Sequence, residues 1–469
     1  MKKLLWYNKG MENKTICAIS TPLGNGGIAV VRMSGKESKK ILQKLVDVKV
    51  SSFEPRKLYL TNVKAEGFND KALVVYFEAP HSYTGEDMVE IQCHGGVVIA
   101  KGILDSLISN GAILAQAGEF TKRAFLNGKI SLEQAEGVID MINAESEQAV
   151  KAGYNLVSGK LFEKIKSLKD SLTDCIAEID VSMDYPEEDI EYIASQKVKK
   201  ILEQSIVKTM ELLDTAKTGR QVKNGVNVVI LGKPNVGKSS LLNSLIGYDR
   251  AIVTDIAGTT RDTVEESFSY NGMSFNLIDT AGIHESNNVV EKIGIEKAED
   301  SIKLADIVLV VLDASIGLSK DDEYILEKTK NSKTIYVLNK TDLDICKTVI
   351  GSIKEKINYT KRDSEKYIIE ISALKNSHIQ DLKQKIFDMV VDKNILSSGL
   401  LITNARHEEA LKNALASLKQ ALKNLDENLS LDLVCLDIKQ AWDSLGKITG
   451  ETSTEEIVDR IFEKFCLGK

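Results

Sequence analysis

The residues most able to do chemistry cluster after an apolar run. Val228-Val-Ile-Leu231 leads into Gly232-Lys-Pro-Asn-Val-Gly237-Lys238-Ser239, and Ser240-Leu-Leu opens a helical pattern. A glycine-rich loop between a strand and a helix can cradle a nucleoside polyphosphate. Backbone amides of Asn235, Val236, Gly237 and the first helical residues, including Ser240, face phosphate oxygens; Lys238 reaches the β/γ-phosphates and the Ser239 hydroxyl ligates magnesium. The bare pattern arises by chance in some chains of this length, and the strand before it and helix after it are the context its mechanism requires.

Four further motifs follow in the order a GTP switch needs. Asp279-Thr280-Ala281-Gly282 ends an apolar run, so Asp279 can hold the magnesium shell through water and the Gly282 amide can meet the γ-phosphate. Between the two phosphate motifs, Thr254-Asp255-Ile256-Ala257-Gly258-Thr259-Thr260 supplies a switch segment, with Thr260 as a magnesium ligand. Asn339-Lys340-Thr-Asp342 follows another apolar run, and its Asp342 carboxylate can accept from guanine N1 and N2. Adenine lacks that donor pair, and a site left with unpaired polar groups rejects it. Ser372-Ala373-Leu374 ends the last run, where a backbone amide can meet guanine O6. Each short motif alone is weak, since a lone Asn-Lys-x-Asp is more often an ordinary turn; the information lies in five of them in sequence at strand ends.

The elements that must position these residues read as α/β. Asn227–Leu231, Ser274–Asp279, Ile307–Asp313, Thr334–Leu338 and Ile368–Ser372 are expected strands of a parallel sheet with helices between them. The flanks differ. From Thr15 to about Leu126, β-rich runs (Ile28–Met33, Ala72–Phe77, Met88–Cys93) mix with helical patterns at Ser38–Val46 and Val97–Ser109, an α+β texture. From Ser131 to about Lys217, and again after Asp388 (Leu401–Leu425, Leu431–Leu445), apolar residues recur three and four apart, as in amphipathic helices. Pro186 interrupts the first helical stretch within an acidic run, read as a solvated turn. The expected organisation is an α+β domain over 11–128, a discontinuous helical domain over 129–220 and 386–469, and an α/β P-loop domain over 221–385 inserted between its halves.

Composition narrows the function. The 469 residues exceed one ordinary core, and a formal net charge of −7 gives no global attraction to nucleic acid, so any RNA contact needs a local basic patch. No apolar run has the length of a membrane span, and residues 1–10 contain too short an apolar stretch for a signal peptide; they are assigned no function. A cytoplasmic location is expected. The six cysteines form no CxxC pair and the five histidines no metal spacing, which fits reduced thiols. Cys466, in the terminal Phe465-Cys-Leu-Gly-Lys469, is the one candidate for a reactive thiol.

The loop Gly232–Ser239, the segment Thr254–Asp262 and Asp279–Gly282 resemble the Era/MnmE-like GTPases. Thr84-Gly-Glu-Asp87, His94-Gly-Gly96, Gly118–Lys129, the helical bracket and the Phe-Cys-Leu-Gly-Lys ending narrow the resemblance to the MnmE (TrmE) family of tRNA modification GTPases, over nearly all the chain after Thr15. The resemblance implies a potassium-activated GTPase acting on C5 of the wobble uridine of certain tRNAs, to which an aminomethyl or carboxymethylaminomethyl group is added. It implies a homodimer through the N-terminal domain and a heterotetramer with the FAD protein MnmG (GidA). Position 283 is Ile where Ras-like enzymes carry a water-orienting glutamine, and Glu291 takes the catalytic place by resemblance. Without the resemblance, Glu291 reads as a solvated carboxylate at a helix start. Potassium would be held by Asn235, Thr254, Ile256 and Thr259 in place of an arginine finger. A one-carbon folate such as 5-formyltetrahydrofolate would be bound by Arg32, Glu90, Lys129 and Lys469; without the resemblance, Arg32 and Lys129 read as surface charges. The rival reading is a GTP-switch ribosome-assembly factor of the Era type, which should carry a basic RNA-binding domain after the G domain.

Overall fold

The structure is a computed structural model describing residues 14–184, 188–247, 266–279, 301–343, 347–360, 367–397 and 399–468. The chain forms two compact units. The first draws on Met1–Ile139, Leu156–Thr209 and Glu409–Lys469, the second on Asp140–Asn155 and Met210–Glu408.

In the first unit six strands form one sheet in the order β3-β4-β5-β2-β1-β6: β1 (Ile16–Ile19), β2 (Ile28–Ser34), β3 (Leu58–Ala65), β4 (Phe68–Phe77), β5 (Met88–His94) and β6 (Ile113–Leu114). Successive side chains point to opposite faces. Val31, Met33, Val74, Ile91 and Cys93 therefore share a core with Leu42, Ile103 and Leu107 of the helices Ser38–Leu45 and Val97–Ser109. Arg32 and Glu90, directly opposite in the β2–β5 register, share the other face. The short edge strand β6 and the strand β3 are additions to the sequence reading. The β3–β4 hairpin turns at Glu66-Gly67, with Ala65 paired to Phe68, so a turn glycine marked it.

The same unit contains long helices from both ends of the chain. Lys160–Asp184 is buried along Leu161, Ile165, Leu168, Leu172, Cys175 and Ile179, the three-and-four spacing seen in the sequence. It meets the helix Leu431–Thr449, where the Lys169 ammonium lies 3.8 Å from the Trp442 ring centroid and Trp442 Nε1 donates to Thr173 Oγ1 at 3.1 Å. Lys199, on the helix Glu188–Asp214, pairs with Asp426 of the helix Ala405–Asp426. Helices before and after the P-loop segment thus pack as one discontinuous helical domain.

In the second unit the sheet order is β12-β11-β10-β7-β9-β8: β7 (Val226–Leu231), β8 (Glu266–Tyr270), β9 (Met273–Asp279), β10 (Ile307–Asp313), β11 (Thr334–Asn339) and β12 (Ile368–Glu370). Every residue of β10 and β11 is buried, because helices cover both faces. Val228, Ile230, Leu309 and Val311 pack with Leu241, Leu245, Ile386 and Phe387 of the helices Lys238–Ile246 and Ile379–Val390. Val229, Val308, Val310 and Leu312 pack on the other side with Leu326 and Ile353 of the helices Lys320–Thr329 and Lys347–Thr360. Burying each such side chain stabilises the unit by about 1.5–3 kcal/mol before entropy is subtracted.

Two details depart from the sequence reading. The sheet is not wholly parallel: β8 pairs antiparallel with β9 through Asn271-Gly272, both at positive φ, a turn that this dipeptide favours. The helix expected from Leu401 begins at Ala405. Leu401–Thr403 stays buried and non-helical because the Ile402 amide donates to Thr215 Oγ1 at 3.0 Å. Its carbonyl comes so close to Gly219 that any side chain there would collide. Chain entering and leaving the α/β fold therefore runs side by side, the geometry that permits an insertion.

Candidate functional site

The nucleotide motifs converge at the carboxyl ends of the parallel strands, beside β7, where neighbours β10 and β9 lie on opposite sides. The loop leaves β7 at Gly232 and enters the helix Lys238–Ile246 through Gly237 at φ 99°. A Cβ at Gly237 would strike Asn339 Nδ2, so glycine is required by both backbone and space. The helix has no side-chain cap, and its first backbone bond runs from Leu241 N to the Gly237 carbonyl. The preceding amides of Lys238, Ser239 and Ser240 lie in the first turn, where no intrahelical acceptor exists, and suit anionic oxygens. Ser239 and Asn235 are exposed, Asn235 at φ 64°. Buried Lys238 holds its ammonium 2.8 Å from the Gly232 carbonyl and 3.0 Å from that of Lys233.

Asn339 joins the phosphate and base loops. Only 2% exposed, it donates through Nδ2 to the Val236 carbonyl at 2.8 Å, and its Oδ1 accepts from the Ala373 amide at 3.0 Å. In the sequence Asn339 is one of several base-side residues; its bridging geometry is a tertiary fact. Asp342 accepts from Ser372 Oγ at 2.6 Å, which holds its carboxyl below the ordinary carboxylate range. The Ser372 hydroxyl also accepts from the Lys375 amide at 3.2 Å, and Leu374 is exposed at the loop tip. Lys340, at φ 67°, turns its ammonium to Asp313 Oδ2 at 2.6 Å.

Asp279 ends β9 opposite Ile230 of β7, which puts that strand end beside the phosphate loop. The Asp279 side chain, Thr254–Thr260, Thr280, Ala281, Gly282 and Glu291 lie outside the described residues. Of the expected magnesium ligands Ser239 is described, and of the potassium ligands Asn235. Both are exposed, Asn235 on the loop and Ser239 in the first helical turn.

A second polar site occupies the N-terminal sheet. Glu90 Oε1 receives Arg32 Nε at 2.9 Å and Arg32 NH2 at 2.8 Å. The guanidinium carbon lies 5.9 Å from the Tyr83 ring centroid and 5.7 Å from that of Phe120. The C-terminal tail reaches this pair: the Gly468 carbonyl accepts from Arg32 NH1 at 3.5 Å and from Ser20 Oγ at 3.1 Å. The tail is seated by Phe462 and Phe465, buried with Phe125, by the Lys122–Asp459 ion pair at 2.6 Å, and by the Gly118 amide donating to the Cys466 carbonyl at 3.4 Å. Cys466 itself is exposed. Lys129 is tied to the Pro80 carbonyl at 3.0 Å and rests on Gly85. Lys469 lies outside the described residues.

Thr84-Gly-Glu-Asp87 frames this site rather than entering it. Ser34 Oγ donates to Glu86 Oε2 at 2.7 Å, buried Arg123 bridges Glu86 and Glu119, and Asp87 Oδ1 takes the Tyr76 hydroxyl at 2.7 Å. The guanidinium, the carboxylate and the exposed Tyr83 ring lie together over the fully buried Phe120, an arrangement that suits a flat heterocycle with amide and carboxylate groups. Sequence reasoning missed Tyr83, Phe120 and Ser20, which no local pattern distinguished, and Asp313, whose place at a strand end was a usable signal.

Together these features define a multidomain P-loop protein: an α+β N-terminal domain, a discontinuous α-helical domain and an inserted α/β G domain. Residues 15–129 match the family model described as GTP-binding protein TrmE N-terminus, and residues 132–466 the one described as MnmE helical domain. The tRNA modification GTPase MnmE of Clostridioides difficile (strain 630) is 45% identical over 463 residues, covering 97% of this chain and 99% of that protein. That of Lactobacillus gasseri is 42% identical over 462 residues, covering 97% and 98%. Among solved structures, the G domain of the T. maritima FeoB iron transporter is 26% identical over 35% of this chain and 99% of that chain, with a TM-score of 0.25. The chain belongs to the MnmE family of tRNA modification GTPases. Among the described residues no helix is long and apolar enough to cross a membrane.

Proposed function

We propose that this chain hydrolyses GTP and couples hydrolysis to modification of C5 of the wobble uridine of certain tRNAs, as a cytoplasmic homodimer working with the FAD protein MnmG (GidA). The observation that carries the GTPase reading is the Asn339 side chain, bonded to both the phosphate loop and the Ser372–Leu374 loop. The tRNA reading rests on near-full-length similarity to proteins named for that activity.

In this reading the amides at the start of the helix Lys238–Ile246 bind the β-phosphate, and Lys238 exchanges loop carbonyls for β/γ oxygens. Asp342 reads guanine N1 and N2, and Glu291 orients the attacking water. Ser239 and Thr260 would hold magnesium, which would supply positive charge to offset that of the polyphosphate. Asn235, with Thr254, Ile256 and Thr259, would hold potassium, whose charge would offset the negative charge that develops during hydrolysis. Exchanging potassium for sodium at constant ionic strength then slows turnover severely, and equal rates in the two salts reject that role. Arg32, Glu90, Lys129 and Lys469 would hold 5-formyltetrahydrofolate or a related one-carbon folate, with Cys466 nearby on the same tail. The deciding experiment is nucleoside analysis of tRNA from a strain lacking the gene: unchanged wobble uridines sink the modification reading.

A further inference from the structure

The segment Asp313–Asp322 carries none of the nucleotide motifs, yet a buried carboxylate at each end is tied to a different nucleotide loop. At one end Asp313, 5% exposed, closes β10 directly opposite Asn339 of β11. Its Oδ2 takes the Lys340 ammonium at 2.6 Å, and its Oδ1 takes the Ser315 amide at 2.9 Å and hydroxyl at 2.5 Å. Burial pushes this carboxyl up, and the Lys340 and Ser315 contacts outweigh it, holding it below the ordinary range.

At the other end Asp322, 1% exposed, takes the Lys233 ammonium on Oδ2 at 2.7 Å, together with the Ser319 amide at 2.8 Å and hydroxyl at 2.7 Å. Its second oxygen is buried without a hydrogen-bond partner, so the charge depends on Lys233 and on the Ser319 capping box. Lys233 lies in the phosphate loop and offers its own carbonyl to Lys238 at 3.0 Å. The Asn339 bond to Val236 closes the ring: phosphate loop, Asp322, Asp313, guanine loop, phosphate loop.

We propose that Asp313–Asp322 is a strut that fixes the phosphate loop relative to the guanine loop, which makes Lys233, Asp322 and Asp313 positioning residues for GTP turnover. The inference rests on the GTPase reading above. The strut's two ends act on different quantities. Guanine contacts are equal in ground and transition states, whereas contacts to the transferring phosphoryl strengthen in the transition state. Loosening the Asp313 end therefore weakens binding, and loosening the Lys233 end slows chemistry.

The test uses the full chain with D313N, K233M, K233R and the double variant D313N/K233M, measuring steady-state GTP hydrolysis and fluorescent GDP affinity, with thermal melting as a fold control. Expected for D313N are a GDP Kd and GTP KM raised at least tenfold with kcat within threefold of wild type. Expected for K233M is kcat reduced at least tenfold with KM within threefold, and K233R recovers most of it by keeping the ion pair. The double variant loses less kcat/KM than the product of the single losses, because each loss contains, beside its local part, the same loss of bracing between the two loops. Folded variants with unchanged parameters, equal kcat and KM effects at both ends, or multiplying losses overturn the strut. A wild-type chain that binds no guanine nucleotide overturns instead the reading on which it rests.

Discussion

Replacing Asn339 with alanine should cost the chain most of its guanine-nucleotide affinity. The side chain is buried and makes two hydrogen bonds to backbone groups on separate loops, at 2.8 Å to the Val236 carbonyl and 3.0 Å from the Ala373 amide. Alanine leaves both groups without a partner in a site that water enters poorly. Each orphaned buried group costs about 1–3 kcal/mol. Even the lower bound, about 2 kcal/mol for the pair, corresponds to roughly a 30-fold loss of affinity if it falls on the binding-competent arrangement. N339D separates the two bonds: it keeps an acceptor for Ala373 but faces the Val236 carbonyl with another oxygen, so it should lose at least as much. Titration with fluorescent GDP and a GTP analogue reads the affinity, and the nucleotide-induced rise in melting temperature reads it independently. An N339A protein that folds and binds GDP within threefold of wild type refutes the bridging argument.

Other consequences follow from the same contacts. Asp342→Asn replaces one acceptor with a donor, so it should shift base preference from guanine to xanthine nucleotides, seen in competition binding. Because Ser372 holds the Asp342 carboxyl below its ordinary value, guanine recognition that depends on the charged form persists as pH falls through the ordinary carboxylate range and fails only below it; Ser372→Ala should move that failure to higher pH. Burial pushes the Cys17 and Cys175 thiols up to about 12 and Cys93 to about 11. Alkylation of the native protein at pH 8 with peptide mapping should therefore label Cys466 and leave those three unmodified. Their raised values also mean that the stability they contribute is complete below pH 9 and declines as pH climbs toward 12, visible as a falling denaturant midpoint. Arg32→Met removes both bonds to Glu90 and should weaken binding of 5-formyltetrahydrofolate at least tenfold by calorimetry while leaving GDP affinity unchanged; unchanged folate binding rejects Arg32 as a ligand.

Much of this protein was legible in the sequence because the information is local. The phosphate loop is eight consecutive residues between a strand and a helix, and β10 announces itself as seven consecutive apolar or terminal residues, Ile307–Asp313, because a parallel strand is buried on both faces. The helix Val97–Ser109 was read at the same ends that it has in the structure. Weak patterning hid β3, whose outward Leu58 and Leu60 blur the alternation, and buried Leu401–Thr403 imitated the first turn of a helix.

What the sequence by itself determined is therefore which strand ends carry the nucleotide motifs and in what order, since strand, turn and helix signals are carried by adjacent residues. Only the tertiary structure decided how those loops are held. Asn339 meets Val236 across 103 positions, Lys233 meets Asp322 across 89, and Arg32 meets the Gly468 carbonyl across 436. Such pairs leave no periodic trace along the chain. They exist because strand register and helix packing bring together polar groups for which burial without a partner is costly.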